Sequence, residues 1–131
     1  MDICLDINSD VPIYLQIRNQ IILGIARNSL RPDESLPSTR QLGADFGINF
    51  HTVNKAYDLL AKEGVIKMSR KMGAVVSVEP RQPDFPDRWL ENAEIWLSEA
   101  LVKGMSPQEV VAQCKAIVER VRNTHLSESE E

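Results

Sequence analysis

The sequence predicts a mainly α-helical chain with one small β-hairpin, built in two parts. Three observations carry this reading. Apolar residues recur at helical spacing in successive stretches on either side of residue 80. Two short β-type runs flank Ser69-Arg70-Lys71-Met72-Gly73, which has the composition of a hairpin tip. Pro80, Pro83 and Pro86 then crowd one segment where neither a helix nor a central strand can continue. The expected layout is a first domain over 1–79, a proline-rich linker over 80–86, a two-helix domain over 87–125 and a frayed polar tail over 126–131.

Pro12 opens the first helix, whose stripe is Ile13, Ile17, Ile21 and Ile25 and which ends near Asn28. Arg31-Pro32-Asp33-Glu34 has turn chemistry. Ser38 caps a second helix, with Gln41 at the spacing of a capping box. Leu42 and Phe46 point inward, and Gly47 supplies a left-handed C-cap. Asn49 caps a third helix carrying Val53, Ala56, Tyr57 and Leu60 on its inner face, closed by Glu63-Gly64. Val65–Met68 and Ala74–Val78 make the hairpin.

Beyond the linker, a helix from Asp87 to Lys103 carries Trp89, Ala93, Trp96, Leu97, Ala100 and Leu101. A second starts at Ser106-Pro107-Gln108-Glu109, with a serine cap, a proline in the first turn and a glutamate three residues after the cap. Its stripe is Val110, Val111, Cys114, Ile117, Val118 and Val121. The short Gly104-Met105 connection implies an antiparallel pair. Two helices cannot enclose two tryptophans and this stripe. Trp89, Ala93, Trp96 and Leu97, with Val110, Val111, Cys114, Ile117, Val118 and Val121, are therefore expected to form a homodimer interface. The alternative for Trp89 and Trp96 is a cleft for a small-molecule effector.

The 131 residues are 43% hydrophobic and 26% charged, ordinary values for a globular protein, which exclude disordered and fibrous classes. The net charge of −4 at first disfavours nucleic acid as a partner. It is unevenly spread. Residues 1–80 carry nine basic and nine acidic side chains, whereas 81–131 carry six and ten. Within 38–72 there are six basic against three acidic, so the chain has a locally basic segment and an acidic second part. Cys4 and Cys114 have neither disulfide-framework nor zinc-ligand spacing. The acidic N-terminus lacks a signal peptide's basic start, and Ile21–Ala26 is far too short to span a bilayer. A cytoplasmic protein without a membrane partner is expected. Paired carboxylates, a Ser/His/Asp grouping, a metal cluster and a phosphate-cradling glycine loop are all missing from the pattern, so neither enzyme activity nor a cofactor nor a metal is expected.

Helix, helix, tight turn, helix, hairpin is the order of a winged helix-turn-helix, whose third helix enters the DNA major groove. Asn49, Phe50, His51, Thr52 and Asn54 fall in the first turns of that helix, and Lys55 suits a phosphate. Ser38 and Arg40 open the helix before the turn, and Arg70, Lys71 and Gly73 form the wing tip. Plainer readings stand beside these. Asn49 serves as a cap alone, His51 is a surface histidine, and Phe50 either packs under the hairpin or touches a thymine methyl.

The run Pro37, Ser38, Arg40, Leu42, Gly47, Ile48, Asn49, Thr52, Val53, Ala56, Tyr57, Leu60, Glu63, Gly64 and Gly73 resembles the GntR family of bacterial transcription regulators. The opening phrase Val11-Pro12-Ile13-Tyr14-Leu15-Gln16-Ile17 is also typical of it. The short second part is similar to that of the small YtrA-type subfamily. The resemblance implies DNA contacts at Arg40, Asn49, His51, Thr52, Lys55, Arg70 and Lys71, dimerisation through the second part, and repression of transporter operons. Three positions depart from the family pattern. Lys71-Met72-Gly73 replaces the usual Gly-x-Gly of the wing, Phe50 stands where many relatives have Arg or Pro, and Gly43 replaces Ala. Together these readings predict a homodimeric repressor reading a palindromic double-stranded operator, with recognition helices ~34 Å apart. The rival is a winged-helix protein-interaction module without specific DNA readout.

Overall fold

The computed structural model describes the backbone of residues 1–130 and the side chains of residues 1–123. It divides into two units, Met1–Glu79 and Pro80–Glu131. In the first, α1 (Ile13–Ala26) starts after Pro12 and buries Ile17 and Ile21 completely. Asn28 adopts the left-handed conformation (φ 61°) and ends the helix. The first ten residues form neither helix nor strand, yet Ile3 is buried in the core. Two α1 glutamines hold them there. The Gln20 amide accepts from the Cys4 N–H at 2.8 Å and donates to the Cys4 carbonyl, while Gln16 does the same for Asp6 at 2.9 Å each way.

Helix α2 (Thr39–Phe46) is capped as expected, Ser38 Oγ accepting the Gln41 N–H at 3.0 Å. The return half of the capping box is replaced. The Gln41 side chain instead donates through Nε2 to Asp45 Oδ1, one turn along, at 2.7 Å, a charge-assisted bond. Gly47 (φ 65°) turns the chain, and α3 (Phe50–Lys62) follows after Asn49. Its inner face is Val53, Ala56, Tyr57 and Leu60, all essentially inaccessible. The Tyr57 hydroxyl donates to the Pro37 carbonyl at 2.7 Å, pinning α3 to the entry of α2.

Burial pushes the ionisation of Tyr57 well above its ordinary value. The phenol is therefore neutral in the folded state at pH values where the unfolded chain ionises. Its contribution is complete below the unfolded value of ~10 and is lost as pH rises above it. Tyr57→Phe should cost about 1 kcal/mol near neutrality through the unmatched carbonyl and flatten the alkaline decline. Urea melts at pH 7 and pH 11 check both, and an unchanged alkaline decline in the variant would assign it elsewhere.

The hairpin strands are β1 (Ile66–Ser69) and β2 (Gly73–Val76), paired antiparallel from Ile66–Val76 to Ser69–Gly73. Both differ in extent from the sequence expectation, but the pairing does not stop there. Ser77 and Glu79 donate to the carbonyls of Val65 and Gly64. The turn at Arg31–Glu34 forms, with Asp33 left-handed (φ 67°). It also delivers an edge segment that sequence reading missed. Leu36 donates to Ala74 O at 2.8 Å, and Val76 to Glu34 O at 2.9 Å. Ala74 and Val76 thereby close the core under Leu36 and Ile66. Arg18 of α1 forms a two-bond ion pair with Glu63 at the end of α3, about a third exposed on each side. At that exposure it adds little stability.

In the second unit, α4 spans Phe85–Val102 and α5 spans Pro107–Glu130. Helix α4 begins inside the expected linker because Pro86 fits a first helical turn, where its missing N–H has no partner to lose. Gly104 (φ 97°) makes the turn after α4, and Ser106 Oγ accepts the Glu109 N–H at 3.1 Å. The backbone of the expected tail continues α5 to Glu130, and its side chains and Glu131 lie outside the described residues. Helix α4 buries no side chain at all. Among the described residues of this unit only Val110 is buried, so it supports α5 from within rather than offering surface. Trp89 and Trp96 are 57% and 63% exposed, with Val111, Ile117 and Val118 also open, while Ala93, Leu97, Cys114 and Val121 are half-buried. No helix among the described residues is long and apolar enough to cross a membrane.

Candidate nucleic-acid interface

With its inner face buried, α3 turns the opposite stripe to solvent. His51, Lys55, Asp58 and Lys62 follow one another there at helical spacing and are all exposed. Thr52 and Asn54 are half-buried on the flanks, beside the stripe. The positive end of this surface is its first two turns. Asp58 adds a carboxylate that sequence reading had not weighed, and it limits the basic stretch toward the C-terminal half.

Asn49 does act as the cap. Its Oδ1 accepts the His51 N–H at 2.9 Å. Pairing bidentately with adenine needs both an acceptor and a donor from one side-chain amide, and here the acceptor is engaged. Asn49 keeps its NH2 to donate, and the half-buried Asn54 amide stands on the flank of the helix. Ser38 likewise spends its oxygen on Gln41 and keeps its O–H to donate.

Arg40 leaves the first turn of α2 and is exposed. Its guanidinium carbon lies 4.2 Å from the centre of the Phe50 ring, and the His51 ring is 4.1 Å from the same ring, tilted by 35°. Phe50, the first residue of α3, therefore stacks between Arg40 of α2 and its neighbour His51, a contact that neither sequence alternative for it included. Lys55 is held in a comparable way, its Nζ 4.0 Å above the ring of Tyr14 from α1. Among the described residues neither cation is ion-paired. Each is oriented by a ring and keeps its whole charge for an anion.

The wing tip is Arg70-Lys71-Met72, all exposed, between Ser69 and Gly73. Ser69 Oγ accepts from the N–H groups of Lys71 and Met72 at 3.2 Å each, and Gly73 takes φ 71°. That conformation explains the glycine, since any other residue there is strained. Two contributors escaped sequence reading. Tyr14 lies forty-one positions from Lys55 and has no local signal. Gly43 was visible only as a departure from the family pattern, yet a Cβ there would stand 2.9 Å from the Ile48 carbonyl and 3.2 Å from the Phe50 Cα.

The pattern described as "Bacterial regulatory proteins, gntR family" matches residues 13–76, which run from the first residue of α1 to the last of β2. The HTH-type transcriptional repressor YtrA of Bacillus subtilis is 37% identical over 73 residues, 56% of each chain. Matches to three curated relatives span 39% to 57% of those proteins' lengths. Among solved structures, YtrA from Sulfolobus acidocaldarius, a GntR-family transcription factor, is 38% identical. The match covers 76% of this chain and 97% of that one, with a TM-score of 0.63. A transcriptional antiterminator from Listeria monocytogenes, only 20% identical, shares the fold over 92% of both chains with a TM-score of 0.83. On the helix-turn-helix geometry and these matches together, the chain belongs to the GntR family of bacterial regulatory proteins.

Proposed function

We propose that the chain is a sequence-specific, DNA-binding transcription regulator of the cytoplasm, acting as a homodimeric repressor on a palindromic operator. The observation that carries this is the outer side of the first two turns of α3, where His51 and Lys55 are exposed and Thr52 and Asn54 flank them, together with the exposed cations Arg40 of α2 and Arg70 and Lys71 of the hairpin tip. These are side chains that read base edges and phosphates. Repression is supported by the designation of the Bacillus relative, and a transporter operon as target by the family resemblance alone. Dimerisation is supported by the exposed large apolar side chains of α4 and α5, among them Trp89, Leu90, Ile95, Trp96, Val111 and Val118. The exposure of Trp89 and Trp96 on that surface supports reading them as dimer core rather than as an effector cleft.

The test is titration of a duplex carrying the gene's own upstream region against a scrambled duplex of equal length. Preference for the first is expected. Equal affinity for both would leave the protein-interaction module as the better reading. Within the same titrations, Lys71→Ala should weaken both complexes alike and lower the slope of log affinity against log salt by about 1. A change in base preference instead would make Lys71 a base reader.

A further inference from the structure

Resting on the DNA-reading role of this face, we propose that Phe50 is a positioning residue that fixes the base pair read by Arg40. An exposed arginine on a helix sweeps a wide cone and finds phosphates as readily as bases. Here the guanidinium is laid on the Phe50 ring at 4.2 Å, a cation–π distance, and that ring is braced by His51 at 4.1 Å. A guanidinium held over a ring face sweeps less space than a free one, and stacking on a ring leaves the in-plane N–H groups able to donate. A plane so held can offer two parallel donors to guanine O6 and N7 at one position of a site and not at its neighbours.

Gly43 is the second half of the device. It sits within α2 with ordinary helical backbone, so its lack of a side chain is what the fold uses, not conformational freedom. A Cβ at this position would collide with the Ile48 carbonyl and crowd the Phe50 backbone. The start of α3 can thus approach α2 closely enough for the residue at 50 to reach the one at 40. Glycine at 43 and an aromatic ring at 50 are the two departures from the family pattern in this region, and the structure joins them in one contact.

The experiment selects from a random-sequence duplex pool with the full chain and reads base preference position by position. Wild type, Phe50→Trp, Phe50→Leu, Arg40→Ala and the Phe50→Leu/Arg40→Ala double variant are compared on the recovered duplex. Leucine fills the space without a π face, and Phe50→Met serves the same comparison should the leucine variant melt early. Phe50→Trp should bind within about twofold of wild type. Phe50→Leu should lose about threefold, confined to the base pair whose preference Arg40→Ala erases, and the double variant should bind no worse than Arg40→Ala. Additive losses, or a loss spread evenly over all positions, overturn the positioning role alone. A wild-type chain that enriches no sequence overturns the DNA reading, and this proposal with it.

Discussion

Trp96→Asp should convert the proposed dimer to monomers and reduce operator affinity on the order of a hundredfold. The side chain is 63% exposed in the single chain and shares its α4 face with Trp89, Ala93, Leu97 and Ala100. A face of that kind, in a helix that fully buries no side chain against its own unit, suits burial against a second copy. An aspartate at its centre would put an unpaired charge into the subunit contact, a far larger penalty than a shortened apolar side chain. Two linked recognition helices bind with an effective concentration that raises avidity by ~10²–10⁴, and separating them forfeits that gain. Sedimentation checks the mass, and titration on a full palindrome and on one half-site checks the consequence. The variant should bind both duplexes with similar, weak affinity. Core packing of the first unit should be untouched, because it ends at Glu79. A variant that stays dimeric would refute the interface.

Arg40→Ala should cost about tenfold to a hundredfold in operator affinity and erase preference at one base pair of each half-site. A well-placed bidentate contact discriminates by ~1–3 kcal/mol, which sets that range. Stability should hardly change, since Arg40 is exposed and rests on the Phe50 ring. The salt slope separates the two ways of losing affinity. A base contact removes preference and leaves most of the slope, whereas a phosphate contact lowers the slope by about one and spares preference. Arg40→Lys should rescue little, because an ammonium lacks the planar pair of donors. Undiminished preference in Arg40→Ala would move the reading function to Asn54 and Thr52.

What the sequence shows well here is what neighbours in sequence decide. The caps at Ser38, Asn49 and Ser106, the αL turn at Gly47 and the inner stripe of α3 each depend on residues within one or two turns. All are found where spacing places them. The features it conceals join distant segments. Asp33–Leu36 pairs with β2 some forty positions away, Arg18 meets Glu63, and Tyr14 lies under Lys55. No periodicity encodes such meetings. Gln41 shows a subtler failure, since its spacing from Ser38 suits the return bond of a capping box, yet the side chain donates to Asp45 instead. At the site, residue types were legible and their allocation was not. Asn49 is legible in sequence as a cap, and the hydrogen bond from the His51 N–H shows how its side-chain oxygen is used.

The glutamines of α1 treat the first residues as a sheet would treat an edge strand. Each side-chain amide matches one backbone N–H and one carbonyl of a segment that belongs to no ladder. Amide protons there should accordingly resist hydrogen exchange in alternation, with Cys4 and Asp6 slow between faster neighbours, in a stretch without regular structure. A fusion partner joined at Met1 would therefore load a working part of the core, two residues from Ile3.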